Sequence, residues 1–321
     1  MIEVKPFEQE HLAAACALFA AKYRGERQRC DLLPARFEDE SAIQKLLTQM
    51  VGIQPGVVAF AEGEMIGYLT GFSNIPTFKG SATGVYTPIW GHCITPTVSI
   101  ENVFTALYCE LSAEWVANRC HTHALSYFPA EGVLSAHMFK LGYGMLLIDG
   151  IRDFASLEVE VDEEVIIREA ADRDMAQLMV ISSKLDDHLR GAPVFLNRGE
   201  EQNDLARFSS SFRKEGANVL VAEVKGELVA CIRGKLNSGP SCDLFDLAGS
   251  LGIDFAYTDP DLRKQGIATW LLQELLRRGK AEGMQRCVVD FESANLVADT
   301  FWLKYFQPIC QSVMRRIDER I

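Results

Sequence analysis

Residues Pro260 to Gly279 read PDLRKQGIATWLLQELLRRG, a well-patterned helix with an unusual beginning. Ile267, Leu271, Leu275 and Leu276 fall along one face with Gln273, Glu274, Arg277 and Arg278 opposite, and Gly283 stops the pattern. Ser, Thr, Asp or Asn normally offers a side-chain oxygen to the orphan amides of a first turn. Here the turn is Arg263-Lys264-Gln265-Gly266-Ile267-Ala268-Thr269. A start without a cap and with small residues leaves its N–H groups to an external anion. Gly266 permits close backbone approach, Ala268 adds little bulk, and Arg263 and Lys264 supply countercharge, so a diphosphate suits the turn.

The rest of the composition narrows the setting. A chain of 321 residues is long for one core and suits two domains. With 48% hydrophobic and 24% charged residues it reads as globular rather than disordered. A net charge of -12 disfavours a general nucleic-acid binder and favours cationic small molecules as partners. No run reaches the roughly 18 apolar residues of a membrane span, and MIEVKPFEQEH lacks the character of a signal peptide. Nine scattered cysteines without a Cys-x-x-Cys argue against a disulfide framework and a zinc ribbon. The expectation is a cytoplasmic monomer or homodimer that engages neither nucleic acid nor membrane and holds no metal.

The chain also repeats itself. GEMIG from Gly63 matches GELVA from Gly226, an offset of 163 residues, and the same offset places Val4-Lys5 on Ile167-Arg168, Val58-Ala59 on Val221-Ala222 and Ile151-Arg152 on Met314-Arg315. A constant register over the whole length indicates tandem duplication. Each copy runs strand, two helices, a hairpin, a further strand (Tyr86 to Ile94; Gly252 to Thr258), a long helix (Ile100 to Ala117; Gln265 to Glu282), a strand, a short helix and a closing strand. The predicted class is α/β, with a mixed, mostly antiparallel sheet flanked by helices in each copy. The acidic stretch FASLEVEVDEEV, Phe154 to Val165, marks the boundary, giving domains 1–156 and 157–321.

YTDPDLRKQGIATWLLQELLRRGKAEG followed by VVDFESANLVADTFWLKYF resembles the GNAT superfamily of acyl-CoA-dependent N-acyltransferases. Arg263, Gly266 and Ala268 meet that family's Arg-x-x-Gly-x-Ala signature, and Asn295 with Ala298 meets its Asn after the fifth strand. The resemblance implies that acetyl-CoA is the cofactor. It places the binding residues at Ala256, Tyr257, Thr258, Arg263, Lys264, Gln265, Gly266, Ile267, Ala268, Thr269 and Asn295. The element order fits both halves, so the resemblance extends to a tandem pair. The first half differs at the decisive turn: ITPTVSIENVFTALYCEL carries no Arg-x-x-Gly-x-Ala, and Asn102-Val103-Phe104 replace the small residues. It is expected to be a scaffold or acceptor wall that does not hold the phosphates.

The implied reaction is direct attack of a small-molecule or peptide primary amine on the acetyl thioester. Asp254 on the fourth strand of the second half, sharing a face with Ala256 and Thr258 by the two-residue period, is the candidate base. A structural Asp is the alternative reading, and Glu292 is the competing carboxylate. The family's acid is a Tyr seven residues beyond the Asn, where this chain has Trp302; Tyr305, one helical step on, is the candidate instead. That departure also motivates an alternative, a non-catalytic acyl-CoA sensor on the same fold. Cys120-His-Thr-His123 is a weak metal pattern without a third ligand. Arg277, Arg278 and Lys280 could meet a 3′-phosphate or form a solvated face, and Trp90 and His92 could line an acceptor pocket or the core.

Overall fold

The computed structural model describes residues 1–160, 163–197, 205–212, 217–239, 242, 244 and 248–321. Val161 and Asp162 of the acidic boundary stretch lie outside the described residues. The chain forms two compact units: residues 1–148 and 308–321 with Cys242 and Leu244 make the first, and the described residues from 149 to 239 and 248 to 307 make the second. Both are mixed αβ. No helix among the described residues is long and apolar enough to cross a membrane.

In the first unit the order is β1 (Glu3–Pro6), α1 (Leu12–Arg29), α2 (Glu40–Leu47), β2 (Gly56–Ala61), β3 (Glu64–Thr70), β4 (Phe72–Ile75), β5 (Thr83–Thr87), β6 (His92–Ile94), α3 (Ile100–Ala117), β7 (Cys120–Tyr127), α4 (Gly132–Lys140) and the start of β8 (Gly144–Arg152). Strands β1-β2-β3-β6 pair in that order, each antiparallel to the next. The expected single strand from Tyr86 to Ile94 is broken at Pro88-Ile89-Trp90-Gly91, because proline cannot donate to a ladder. Its two pieces take different partners: β5 lies parallel to β7, while β6 pairs with β3. Val103, Phe104, Leu107, Leu111 and Trp115 of α3 close the core over β2, β3 and β7.

The second unit takes up the rest of β8 and continues with β9 (Val165–Glu169), α5 (Met175–Arg190), α6 (Leu205–Phe212), β10 (Ala217–Val224), β11 (Glu227–Leu236), β12 (Ser250–Thr258), α7 (Ile267–Ala281), β13 (Arg286–Glu292) and α8 (Leu296–Tyr305). Its strands run β9-β10-β11-β12-β13, antiparallel except for the parallel pair β12 and β13. Met175, Leu178 and Ile181 of α5, with Phe208 and Phe212 of α6, bury one face of the sheet against Val221, Cys231, Phe255 and Tyr257.

The duplication is visible in backbone detail. Glu62-Gly63 and Lys225-Gly226 both turn with positive φ at both residues (52° and 85°; 51° and 88°), the two-residue hairpin geometry that matches strand twist. The register of the hairpin shifts between Ala59 and Phe60 in one copy and between Ala222 and Glu223 in the other, again 163 residues apart. One expectation fails. The last strand, β14 (Gln307–Arg316), does not close the copy in which it stands; from Pro308 onward it belongs to the first unit, antiparallel to β7 with Gln311 opposite Tyr127 and Arg316 opposite Thr122.

Candidate active site

Two departures from a regular sheet build the site in the second unit. Arg233 pairs with Phe255 and Gly234 with Ile253, so Asp254 is the extra residue of a β-bulge. The second departure lies on the other edge of β12. Pairing with β13 runs only from Ser250↔Arg286 to Ile253↔Val289, although β12 continues to Thr258 and β13 to Glu292. Past Ile253 the strands part. Ala256, Tyr257 and Thr258 remain paired to β11 on one side and present an open backbone edge on the other.

The chain leaves β12 through a short 3-10 turn, Pro260–Leu262, and reaches α7 through Lys264 and Gly266, both left-handed with φ of 64° and 81°. No side chain caps α7 and no acidic residue lies in its first turn. The amides of Ile267, Ala268 and Thr269 have no carbonyl in their own helix. Arg263 is anchored by its Nε, which donates to the Thr258 carbonyl at 3.2 Å. Lys264 and Gln265 are exposed beside it. The first unit is built differently: Ser99 accepts from the Asn102 amide at 3.4 Å, Glu101 lies in the first turn of α3, and Val103 and Phe104 are buried. Its helix start is closed by its own cap.

Helix α8 begins at Asn295, whose Oδ1 accepts from the Ala298 amide at 3.3 Å. Trp302 is buried against Phe301 and Phe306 and is a packing residue. The Tyr305 hydroxyl instead comes to 2.9 Å from Oγ1 of Thr269, in the first turn of α7. Tyr305, the sequence's candidate acid, thereby reaches the first turn of α7.

Asp254 stands beside the parting strands, but not on the face expected. The bulge reverses the alternation, so Asp254 lies with Phe255 on the α5 and α6 side rather than with Ala256 and Thr258. There Arg233 donates to its Oδ1 at 2.7 Å while stacking over Phe212 and Phe255, and Lys235 Nζ is 2.5 Å from Oδ2. Each carboxylate oxygen already carries a cation.

Other sequence candidates resolve into structure. Arg277 and Arg278 pair with Glu274, and Arg278 also with Glu169. His123 is bonded at both ring nitrogens, to the Tyr108 hydroxyl at 2.8 Å and to the Cys120 carbonyl at 3.0 Å, so it has no lone pair for a metal. No group of metal-ligating side chains occurs among the described residues. Trp90 and His92 are core residues, and His92 gives its Nε2–H to the Ser126 carbonyl at 2.9 Å. Burial pushes the Cys287 thiol up to about 12 and the Cys231 thiol higher still, so neither is a nucleophile near neutral pH.

Sequence reasoning missed His188. This α5 residue lies 107 positions before Asn295, and its Nε2 sits 3.2 Å from the Asn295 Oδ1. No local pattern could have joined them.

Residues 184–306 match the model of the acetyltransferase (GNAT) family. A GCN5-related N-acetyltransferase from Sphaerobacter thermophilus has a similar structure, with a TM-score of 0.59 at 14% identity, covering 98% of this chain and 95% of that one. A GCN5-related glucosamine N-acetyltransferase region of a fungal multi-domain GH3 β-N-acetylglucosaminidase gives 0.54 at 13% identity, covering 98% of this chain and 38% of that one. No curated protein matches the chain. Over residues 184–306 the chain is thus similar to the acetyltransferase (GNAT) family, and its fold is similar to that of a GCN5-related N-acetyltransferase.

Proposed function

We propose that the protein transfers an acetyl group from acetyl-CoA to a primary amine of a small molecule or peptide, and that the second unit alone holds acetyl-CoA. The observation that carries this reading is the start of α7. Its first-turn amides have no carbonyl in their own helix and no side-chain cap among the described residues, two left-handed residues curve the chain in front of them, and Arg263 and Lys264 flank the turn. These residues fit the diphosphate of coenzyme A. The open edge at Ala256, Tyr257 and Thr258 fits the amide-bearing arm between diphosphate and thiol, since both offer hydrogen bonds at strand spacing. When bound, acetyl-CoA supplies an activated acyl thioester.

Direct attack by the amine is favoured over an acetyl-enzyme, because burial holds the Cys231 and Cys287 thiols protonated. Tyr305, at the first turn of α7, is positioned to give a proton to the departing sulfur. Asp254, paired with Arg233 and Lys235, gives the acceptor side a charged floor. The reading is tested by calorimetry and by thiol release from acetyl-CoA with a panel of amines. One site per chain with amine-dependent release is expected. Tight binding with no release by any amine would make the chain a sensor, and no binding would overturn the reading.

A further inference from the structure

Helix α5 carries Gln177, Ile181, Lys184 and His188 along one face, at helical spacings of three and four residues. Gln177 Oε1 accepts from the Leu228 amide at the start of β11, at 2.9 Å. Lys184 Nζ lies 3.3 Å from Asp259 Oδ2, one residue past β12. His188 Nε2 lies 3.2 Å from Asn295 Oδ1, just beyond β13. Because β11 is antiparallel to β12 and β13 is parallel to it, all three contacts fall at the same end of these strands. That end is where β12 and β13 part. Helix α5 is therefore a bar across the open end of the wedge, resting on both lips.

The contact at its last turn has a fixed polarity. Oδ1 of Asn295 already accepts the Ala298 amide, so it is an oxygen acceptor, and His188 must donate Nε2–H to it. In the neutral ring the lone pair is then on Nδ1. His188 has no other partner among the described residues and is half-buried. The first unit joins α1 to the N-cap residue of α4 differently, by a Lys22–Glu131 ion pair at 2.6 Å. The imidazole thus occurs in the copy that also has the uncapped helix.

We propose that His188 accepts the proton that the attacking amine loses, with Asn295 as the positioning residue that sets its tautomer. The proposal rests on the acyl-transfer reading above. In the step, an N–H proton of the amine passes to Nδ1 and the nitrogen lone pair forms the C–N bond to the thioester carbon. The C–S bond breaks with its electron pair on sulfur, and the sulfur takes up a proton. The imidazolium then releases its proton to solvent. Asp254 already carries a cation on each oxygen, whereas Nδ1 of His188 keeps an open lone pair.

Two measurements test it. Histidine side-chain ¹⁵N shifts of the ligand-free chain, with His188 identified by its loss in His188→Gln, should show a protonated Nε2 and a bare Nδ1; Asn295→Ala should abolish that preference. The Nδ1–H tautomer would overturn the proposal. The second measurement is thiol release from acetyl-CoA with spermidine, glucosamine, an aminoglycoside and a peptide with a free amino terminus. His188→Gln keeps an N–H for Asn295 but has no base, and should lose roughly 10²-fold in kcat while binding acetyl-CoA like the parent chain. His188→Ala should be partly restored by added imidazole. Undiminished turnover in His188→Gln overturns the proposal and leaves acyl transfer standing. A parent chain that binds no acetyl-CoA, or binds it without serving any of these amines, overturns both.

Discussion

The hydroxyl of Tyr305 lies 2.9 Å from Oγ1 of Thr269, joining the end of α8 to the first turn of α7. Trp302, where the family pattern calls for the acid, is buried instead, and the hydroxyl enters from one helical step further on. Replacing Tyr305 by Phe should lower kcat about tenfold, less than the usual 10² for a lost acid, because a thiol of pKa near 8.5 leaves tolerably as its anion. The deficit should fade above that pH. A pH–kcat profile of Tyr305→Phe checks this, and a deficit constant with pH would assign Tyr305 to packing.

Gly266 has a φ of 81°, where a β-branched residue is strained, and it stands at the start of α7, where the proposed diphosphate site lies. Gly266→Val should reduce acetyl-CoA affinity at least tenfold while circular dichroism stays native. Calorimetry on the parent chain should give one site, since Ser99 caps the equivalent helix of the first unit. Two equivalent sites would remove the asymmetry between the copies.

Asp254→Asn distinguishes a base from an anchor. With Arg233 and Lys235 on its two oxygens, Asp254 is expected to hold those cations in place. The variant should change KM for the amine more than kcat, with the pH–rate profile retained. A loss of kcat of about 10² that shrinks at high pH would return the proton-accepting role to Asp254.

Two buried histidines of the first unit make stability depend on pH. Burial lowers His92 from 6.5 to about 4, and burial likewise lowers His123 to about 4. Protons therefore bind the unfolded chain first as pH falls. The stability held above about 6.5 is lost on the way down to about 4, by up to roughly 3 kcal/mol per group. Urea melts of the parent chain and His92→Gln at pH 7, 5.5 and 4.5 should show a shallower decline in the variant. Parallel declines would place the effect elsewhere.

The helix start, the hairpins and the duplication were legible because each is written locally. Gly63 and Gly226 announce the turns, and the residues before Ile267 announce a helix start without a side-chain cap. What escaped the sequence depends on distance or on an irregularity without a signature. The period-two reading put Asp254 with Ala256 and Thr258, and a single bulged residue reversed it. Pro88 and Gly91 divided one anticipated strand into two with different partners. His188 acquires meaning only when α5 crosses to Asn295.

Strand β14 imposes an order on folding. The first 148 residues leave the ribosome well before Pro308–Ile321, yet β7 lacks its neighbour on one side until those last residues arrive. Ser126 of β7 must wait for Ser312, which it meets at 2.7 Å, and Tyr108 waits for Arg315 at 3.4 Å. The nascent first unit therefore carries an unpaired edge through translation of the second, a natural place for a chaperone to hold it. A nonsense codon near residue 307 would damage the half of the protein made first.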